Sequence, residues 1–140
     1  MLHIDAHADL REAYEGFDFS HASIMHHVKD LPSVNRLVQV GLRDVSPGEM
    51  AEIEGNAKIR AFFDWDLRRR AAAGEAWAEQ CRRIVADLGE NVYLSFDIDG
   101  LDPRYCPSTG TPVPGGLEYW ELFALLEDRK STRLNSSHIT

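Results

Sequence analysis

Short apolar runs that close on polar residues alternate along this chain with stretches of helical period, and that alternation restricts the fold more than any other feature. Residues 2–4 lead into Asp5-Ala6-His7-Ala8-Asp9. Leu37-Val38-Gln39-Val40 is apolar enough to be buried on both faces. Residues 59–65 make a third strand, and residues 92–98 give the strongest strand signal of all. Between them, Ile24, Val28 and Leu31 predict a short helix over 21–30 that stops before Pro32. Ser46-Pro47-Gly48-Glu49 has an N-cap serine, a proline at the first helical position and a glutamate that completes a capping box. Trp77, Cys81, Ile84, Val85 and Leu88 form one face of a long helix, with Gly89 as its cap. Tyr119, Leu122, Phe123 and Leu126 mark a last helix. Strand–helix alternation implies right-handed βαβ units, hence a three-layer α/β/α fold with a mainly parallel sheet and helices on both faces.

Residues 129–140 do not continue this design. They are polar, lack periodicity and resemble the translation of a sequencing adapter joined to a truncated gene. The expected division is a domain over 1–128 and a non-native, disordered tail over 129–140.

The net charge of -8 argues against a general nucleic-acid binder, which needs a basic face. It suits a site built from carboxylates around cations. Two cysteines, Cys81 and Cys106, are too few for a disulfide framework, so reduced thiols in a cytoplasmic protein are expected. No apolar run is long enough to cross a membrane, and residues 1–5 lack the basic and apolar segments of a signal peptide.

Two constellations carry chemistry. In an extended segment, residues two apart share a side, so Asp5, His7 and Asp9 are expected to converge just past the first strand. Carboxylate plus imidazole is a ligand set for Mn²⁺, Fe²⁺ or Zn²⁺. Asp97 and Asp99 sit two apart at the end of the strongest strand, and paired carboxylates without a counter-charge are costly. Asp102 reads as a turn residue before Pro103. Together the clusters offer four carboxylates and one imidazole, more than one ion needs. Two ions a few ångströms apart share a water and lower its pKa, which implies metal-assisted hydrolysis. Residues 100–116 hold four prolines and four glycines, so an ordered loop is expected to wall the site or brace the second acidic pair. Cys106 lies in it without an obvious base and reads as a packed thiol.

The segments Leu2-His3-Ile4-Asp5-Ala6-His7-Ala8-Asp9, Ser95-Phe96-Asp97-Ile98-Asp99-Gly100-Leu101-Asp102-Pro103 and Pro107-Ser108-Thr109-Gly110-Thr111-Pro112-Val113-Pro114-Gly115-Gly116-Leu117 resemble, in order and spacing, three motifs of the ureohydrolase (arginase/agmatinase) family. The resemblance covers residues 1 to about 127. It implies an arginase-like fold and two Mn²⁺ ions. Asp5 and Asp97 would bridge them, Asp9 would join on one, and His7 and Asp99 would complete the other. The implied reaction is hydrolysis of a guanidino group to urea and an amine. His21, in Phe19-Ser20-His21-Ala22-Ser23, matches a histidine that agmatinase-like members place at the site mouth to pass a proton to the leaving amine. His21 and Asp9 are the catalytic candidates. His26 and His27 read as helix-surface or partly buried residues and His3 as structural.

Leu10-Arg11-Glu12-Ala13-Tyr14-Glu15-Gly16 resembles agmatinases more than arginases, which favours a small cationic guanidino substrate such as agmatine. Guanidinobutyrate stays open. The family also has a histidine ligand in a Gly-Gly-Asp/Glu-His type motif upstream and a guanidinium-holding glutamate downstream. Neither lies within these residues. The resemblance thus implies an internal part of a longer, homo-oligomeric enzyme.

Overall fold

The computed structural model describes residues 1–132 and 137–139. Five strands form one parallel sheet in the order β3-β2-β1-β4-β5. The strands are β1 (Leu2–Ile4), β2 (Leu37–Leu42), β3 (Ile59–Phe63), β4 (Val92–Phe96) and β5 (Ser137–Ile139). The helices are α1 (Ile24–Val28), α2 (Pro47–Gly55), α3 (Asp64–Ala72), α4 (Trp77–Ala86) and α5 (Tyr119–Thr132). The chain starts in the middle of the sheet, builds outward to β3, then returns to the other side of β1 with β4. The order therefore reverses between β1 and β4, and the crevice beyond the C-terminal ends of those strands is where such folds bind ligands.

Alternation sorts the strand side chains onto two faces. Leu2, Ile4, Val38, Val40, Val92 and Leu94 pack in one cluster with Leu67, Trp77, Cys81, Ile84, Val85, Leu122 and Leu125 from α3, α4 and α5. Fully burying an aliphatic side chain such as Ile84 contributes about 1.5–3 kcal/mol. The Trp77 indole N–H also donates to the Glu121 carbonyl at 2.9 Å, which ties α4 to α5. Leu37, Leu42, Ile59, Met25, Ala8 and Leu10 form a second cluster on the other face.

Several boundaries move relative to expectation, each for a local reason. The helix expected over 21–30 is a single 3-10 turn, His21–Ser23, followed by the short α1. Ser20 and Ser23 cap that turn reciprocally, so the chain tightens before α1 starts. The strand expected over 59–65 ends at Phe63, because Asp64 opens the unanticipated α3. Asp64 and Asp66 in its first turn and Arg69 and Arg70 in its last match the helix dipole. That helix shows little apolar period and is held by ion pairs such as Arg70–Asp66 at 3.4 Å. The α4 helix stops at Ala86, with Asp87 rather than Gly89 as its cap. The strand β4 stops at Phe96, where Asp97 caps a 3-10 turn over Ile98–Gly100. The capping box at Ser46 and Glu49 forms as expected. Helix α5 runs to Thr132, and Ser137–Ile139 pairs in parallel with β4, so part of the stretch expected to lie outside the domain occupies the open edge of that strand.

Candidate metal centre

His3 pairs with Ser95 and Ile4 with Phe96 across β1 and β4, and the Asp97 N–H donates to the Ile4 carbonyl at 2.9 Å. Alternation then sets Asp5 and Asp97 side by side on the same face of the sheet. The Asp97 carboxylate accepts from the Asp99 N–H at 3.0 Å, which turns the chain and brings Asp99 back over β1. Gly100 permits this return, since a Cβ there would lie 3.1 Å from the Asp5 nitrogen and 3.0 Å from an Ile4 methyl. The Ala6 N–H closes the contact by donating to Asp99 Oδ1 at 3.1 Å.

Asp5 is the hub. Its carboxylate is buried and accepts from the His7 N–H at 2.8 Å and from His3 Nε2 at 2.9 Å. Two donor groups share it. Atoms of Asp5, His7 and Asp99 lie within 4.8 Å of one another, and so do atoms of His3, Asp5 and Asp9. The oxygen-and-imidazole chemistry of both groups fits hard-to-borderline divalent cations, and a shared carboxylate fits two of them.

Asp5, His7 and Asp9 line one cavity, with His7 and Asp9 in different donor groups, and strand alternation is not what places Asp9. Asp9 adopts a left-handed backbone, φ 54°. Its carbonyl accepts from the Met25 and His26 N–H groups at the start of α1, at 2.8 and 3.1 Å. The next residue is tied from another side, because the Leu10 N–H donates to buried Glu49 at 3.0 Å. The glutamate that completes the α2 capping box therefore also pins the loop carrying Asp9. A conformation unfavourable to a non-glycine residue persists here because two helices hold it.

The charges are strongly coupled. Hydrogen bonds to Asp5 and Asp99, at 3.4 and 3.0 Å from Nδ1, push the His7 imidazole up to about 10. Burial, with the Asp5 charge beside it, pushes the Asp9 carboxyl up to about 8. Burial alone would raise Asp5 as well, but the hydrogen bonds from His3 and His7 outweigh it and hold Asp5 below the usual carboxylate range. Partial desolvation and the charges of Asp5 and Asp99 raise Asp97. Without an ion, the His7 imidazolium and a proton on Asp9 do the neutralising.

These side chains line a cavity of about 190 Å³ with Arg11, Tyr14, His21, Asp44, Glu49 and Thr111. His21 is exposed at its rim, its ring edge-on to Tyr14 with centroids 5.4 Å apart. Asp97 lines the cavity but belongs to neither donor group. His26 and His27 lie outside it, the latter stacked on Phe19. A larger groove of about 840 Å³ lies at the opposite end of the sheet, lined by Met1, Arg36, Asp87 and Tyr93. None of the ligand groups found among the described residues faces it.

The loop over 100–116 braces the site. Thr111 donates to Asp99 Oδ2 at 3.4 Å. Arg43, just past β2, donates to the carbonyls of Val113 and Gly41 at 3.1 Å, of Leu101 at 3.3 Å, and of Asp99. One guanidinium thus ties β2, the Asp99 turn and the loop together. No motif points to Arg43, because all its partners are backbone atoms, three of them more than fifty residues away. Replacing Arg43 with methionine leaves partly buried carbonyls unpaired and should cost about 2 kcal/mol or more. A lower unfolding midpoint and faster amide exchange across residues 100–117 would register it, and unchanged exchange there would refute it. Cys81 is buried with its thiol pushed up to about 12 by burial, so it is inert at neutral pH.

Comparison with known proteins agrees with this geometry. The arginase family model matches residues 1–139. A Thermus thermophilus protein named N(1)-aminopropylagmatine ureohydrolase is 39% identical over 127 residues, covering 91% of this chain and 40% of its own length. A guanidinobutyrase from Pseudomonas aeruginosa is 36% identical, covering 84% of this chain and 36% of its own. The arginase of Bacillus cereus superposes with a TM-score of 0.82 at 25% identity, over 99% of this chain and 52% of that one. The chain spans about 40% of the length of the first of these relatives. The matched span contains the Asp5 hub, the Asp97–Asp99 turn and the bracing loop, and the chain belongs to the arginase family.

Proposed function

We propose that this chain carries most of a two-metal site, with Mn²⁺ as the ion, that hydrolyses a guanidino group to urea and an amine, with an agmatine-like substrate. The observation that carries the reading is that Asp5, at the reversal point of a parallel sheet, lies in donor range of Asp9 in one group and of His7 and Asp99 in the other. Asp5 and Asp97, with Asp9 on one side and His7 and Asp99 on the other, would hold the two ions. When bound, the ions supply Lewis-acid activation of water. The chain's own residues do the rest. The carboxylates make the cavity anionic and so attract a guanidinium. Asp9 accepts a hydrogen bond from the attacking water. A C–O bond forms between the water and the guanidino carbon, the C–N bond to the amine breaks, and both water protons end on the departing nitrogen, one of them passed by His21 at the rim. The two cysteines, one buried and neither paired, accord with a cytoplasmic protein.

A second substrate reading has its own observation. Arg11 lies at the cavity mouth, over the Tyr14 ring at 5.3 Å and 3.7 Å from Glu49. Its charge complements a carboxylate tail, as in guanidinobutyrate. Urea release from agmatine and guanidinobutyrate by the longer protein containing this segment decides between them. A higher kcat/KM for agmatine supports the first reading, and turnover of neither with Mn²⁺ bound rejects the reaction. The 140-residue chain alone should bind Mn²⁺ weakly and release little urea. Release from agmatine at a rate typical of an enzyme would contradict that.

A further inference from the structure

Below the candidate ligands lies a buried pair that the proposed chemistry does not use. His3 and Gln39 are register partners across β1 and β2, 1% and 0% exposed. The Gln39 amide nitrogen donates twice, to the Ala8 carbonyl at 2.8 Å and to His3 Nδ1 at 3.0 Å. Turning the amide over would set its oxygen against the Ala8 carbonyl, so its orientation is determined. This orientation leaves the buried Gln39 Oε1 without a hydrogen-bond partner, a cost the core tolerates to keep the donor aimed at His3. With Nδ1 accepting, the imidazole carries its proton on Nε2, 2.9 Å from Asp5 Oδ2. Both ring nitrogens are then engaged. Although Nε2 also lies 3.7 Å from Asp9 Oδ2, it has no lone pair free for an ion.

We propose that Gln39 and His3 form a positioning relay that locks the Asp5 carboxylate and thereby sets the affinity of the site for divalent cations. This rests on the reading that Asp5 bridges two ions. A bridging carboxylate must aim one oxygen at each ion. His3 holds Oδ2 and the His7 N–H holds Oδ1, so rotation of the carboxylate breaks one bond or the other. Outer hydrogen bonds of this kind are worth about 10–100-fold in metal affinity. His3 is thus a positioning residue rather than a ligand.

Two measurements on the 140-residue chain test the relay. Nitrogen-resolved NMR without metal should find His3 protonated on Nε2, and protonation on Nδ1 alone would overturn the relay. Mn²⁺ titrations followed by EPR should then show affinity about 10–100-fold weaker in Gln39→Leu and in His3→Phe. Partial recovery is expected in His3→Gln, whose amide can still donate to Asp5. Pulsed EPR should find the imidazole coupling to Mn²⁺ unchanged in His3→Phe, whereas its loss would make His3 a ligand. Gln39→Leu nearly preserves volume and supplies the answer if His3→Phe does not fold. Wild-type affinity in folded Gln39→Leu would overturn the relay while leaving the two-metal reading intact. If the wild-type 140-residue chain binds Mn²⁺ too weakly to titrate, the same variants are titrated in the longer protein, where absence of Mn²⁺ uptake sinks the proposed function and with it the relay's effect on the metal.

Discussion

Replacing Asp5 with asparagine should abolish metal binding at both positions rather than one. Asp5 belongs to both donor groups, whereas His7, Asp9 and Asp99 each serve one and Asp97 serves neither. An asparagine keeps the size and one acceptor oxygen but removes the charge and sets an amide against the His3 or His7 donor. The loss should exceed the roughly 10–100-fold typical of an outer partner. His7→Asn, by contrast, should spare the position served by Asp9. Mn²⁺ titration by EPR, carried to millimolar concentrations, reads both variants. Retention of one ion by Asp5→Asn would show that the groups are independent and that Asp5 does not bridge.

Without metal, the domain should lose stability as the pH rises, and divalent ions should remove that dependence. Asp9 and His7 both bind protons more tightly in the folded protein. The Asp9 contribution is complete below its ordinary value of 3.8 and is lost as pH passes about 8. The His7 contribution is complete below 6.5 and is lost through about 10. In each window the folded state holds the extra proton, so stability falls by up to about 1.4 kcal/mol per pH unit for each group. Asp5 runs the other way. Its carboxyl is held low, so its contribution is present above the ordinary carboxylate range and is lost only in acid. A bound cation replaces the protons on His7 and Asp9, so metal uptake near neutrality should release roughly two protons. Unfolding midpoints in chelator and in Mn²⁺, measured from about pH 6 to about pH 9, check the sign. A metal-free midpoint that climbs over that range would refute it.

The sheet and the acidic strand ends were readable because they depend on neighbours in sequence. Ser46 and Glu49 are three apart, and the apolar runs at β1, β2 and β4 speak for themselves. The pairing of Asp5 with Asp97 was implied by the family resemblance, and the register of β1 with β4 sets the two side by side. What escaped notice depends on partners distant in the chain. Asp9 looks like the end of an extended segment until Met25, His26 and Glu49 are seen holding its neighbourhood in a left-handed turn. His3 reads as an ordinary strand residue until Gln39, thirty-six positions away, fixes its proton. Arg43 donates to carbonyls, and carbonyls leave no trace in sequence. Helix α3 escaped because ion pairs, rather than an apolar stripe, support most of its surface.

The central place of β1 has a consequence for biosynthesis. During synthesis β1 emerges before its two neighbours, and its β4 flank stays open until that strand follows some ninety residues later. Until then Asp5 has neither Asp97 nor Asp99 beside it. On the proposed two-metal reading, loading of a second cation waits for the return strand. A chain stalled before residue 92 would leave one edge of β1 without its partner strand.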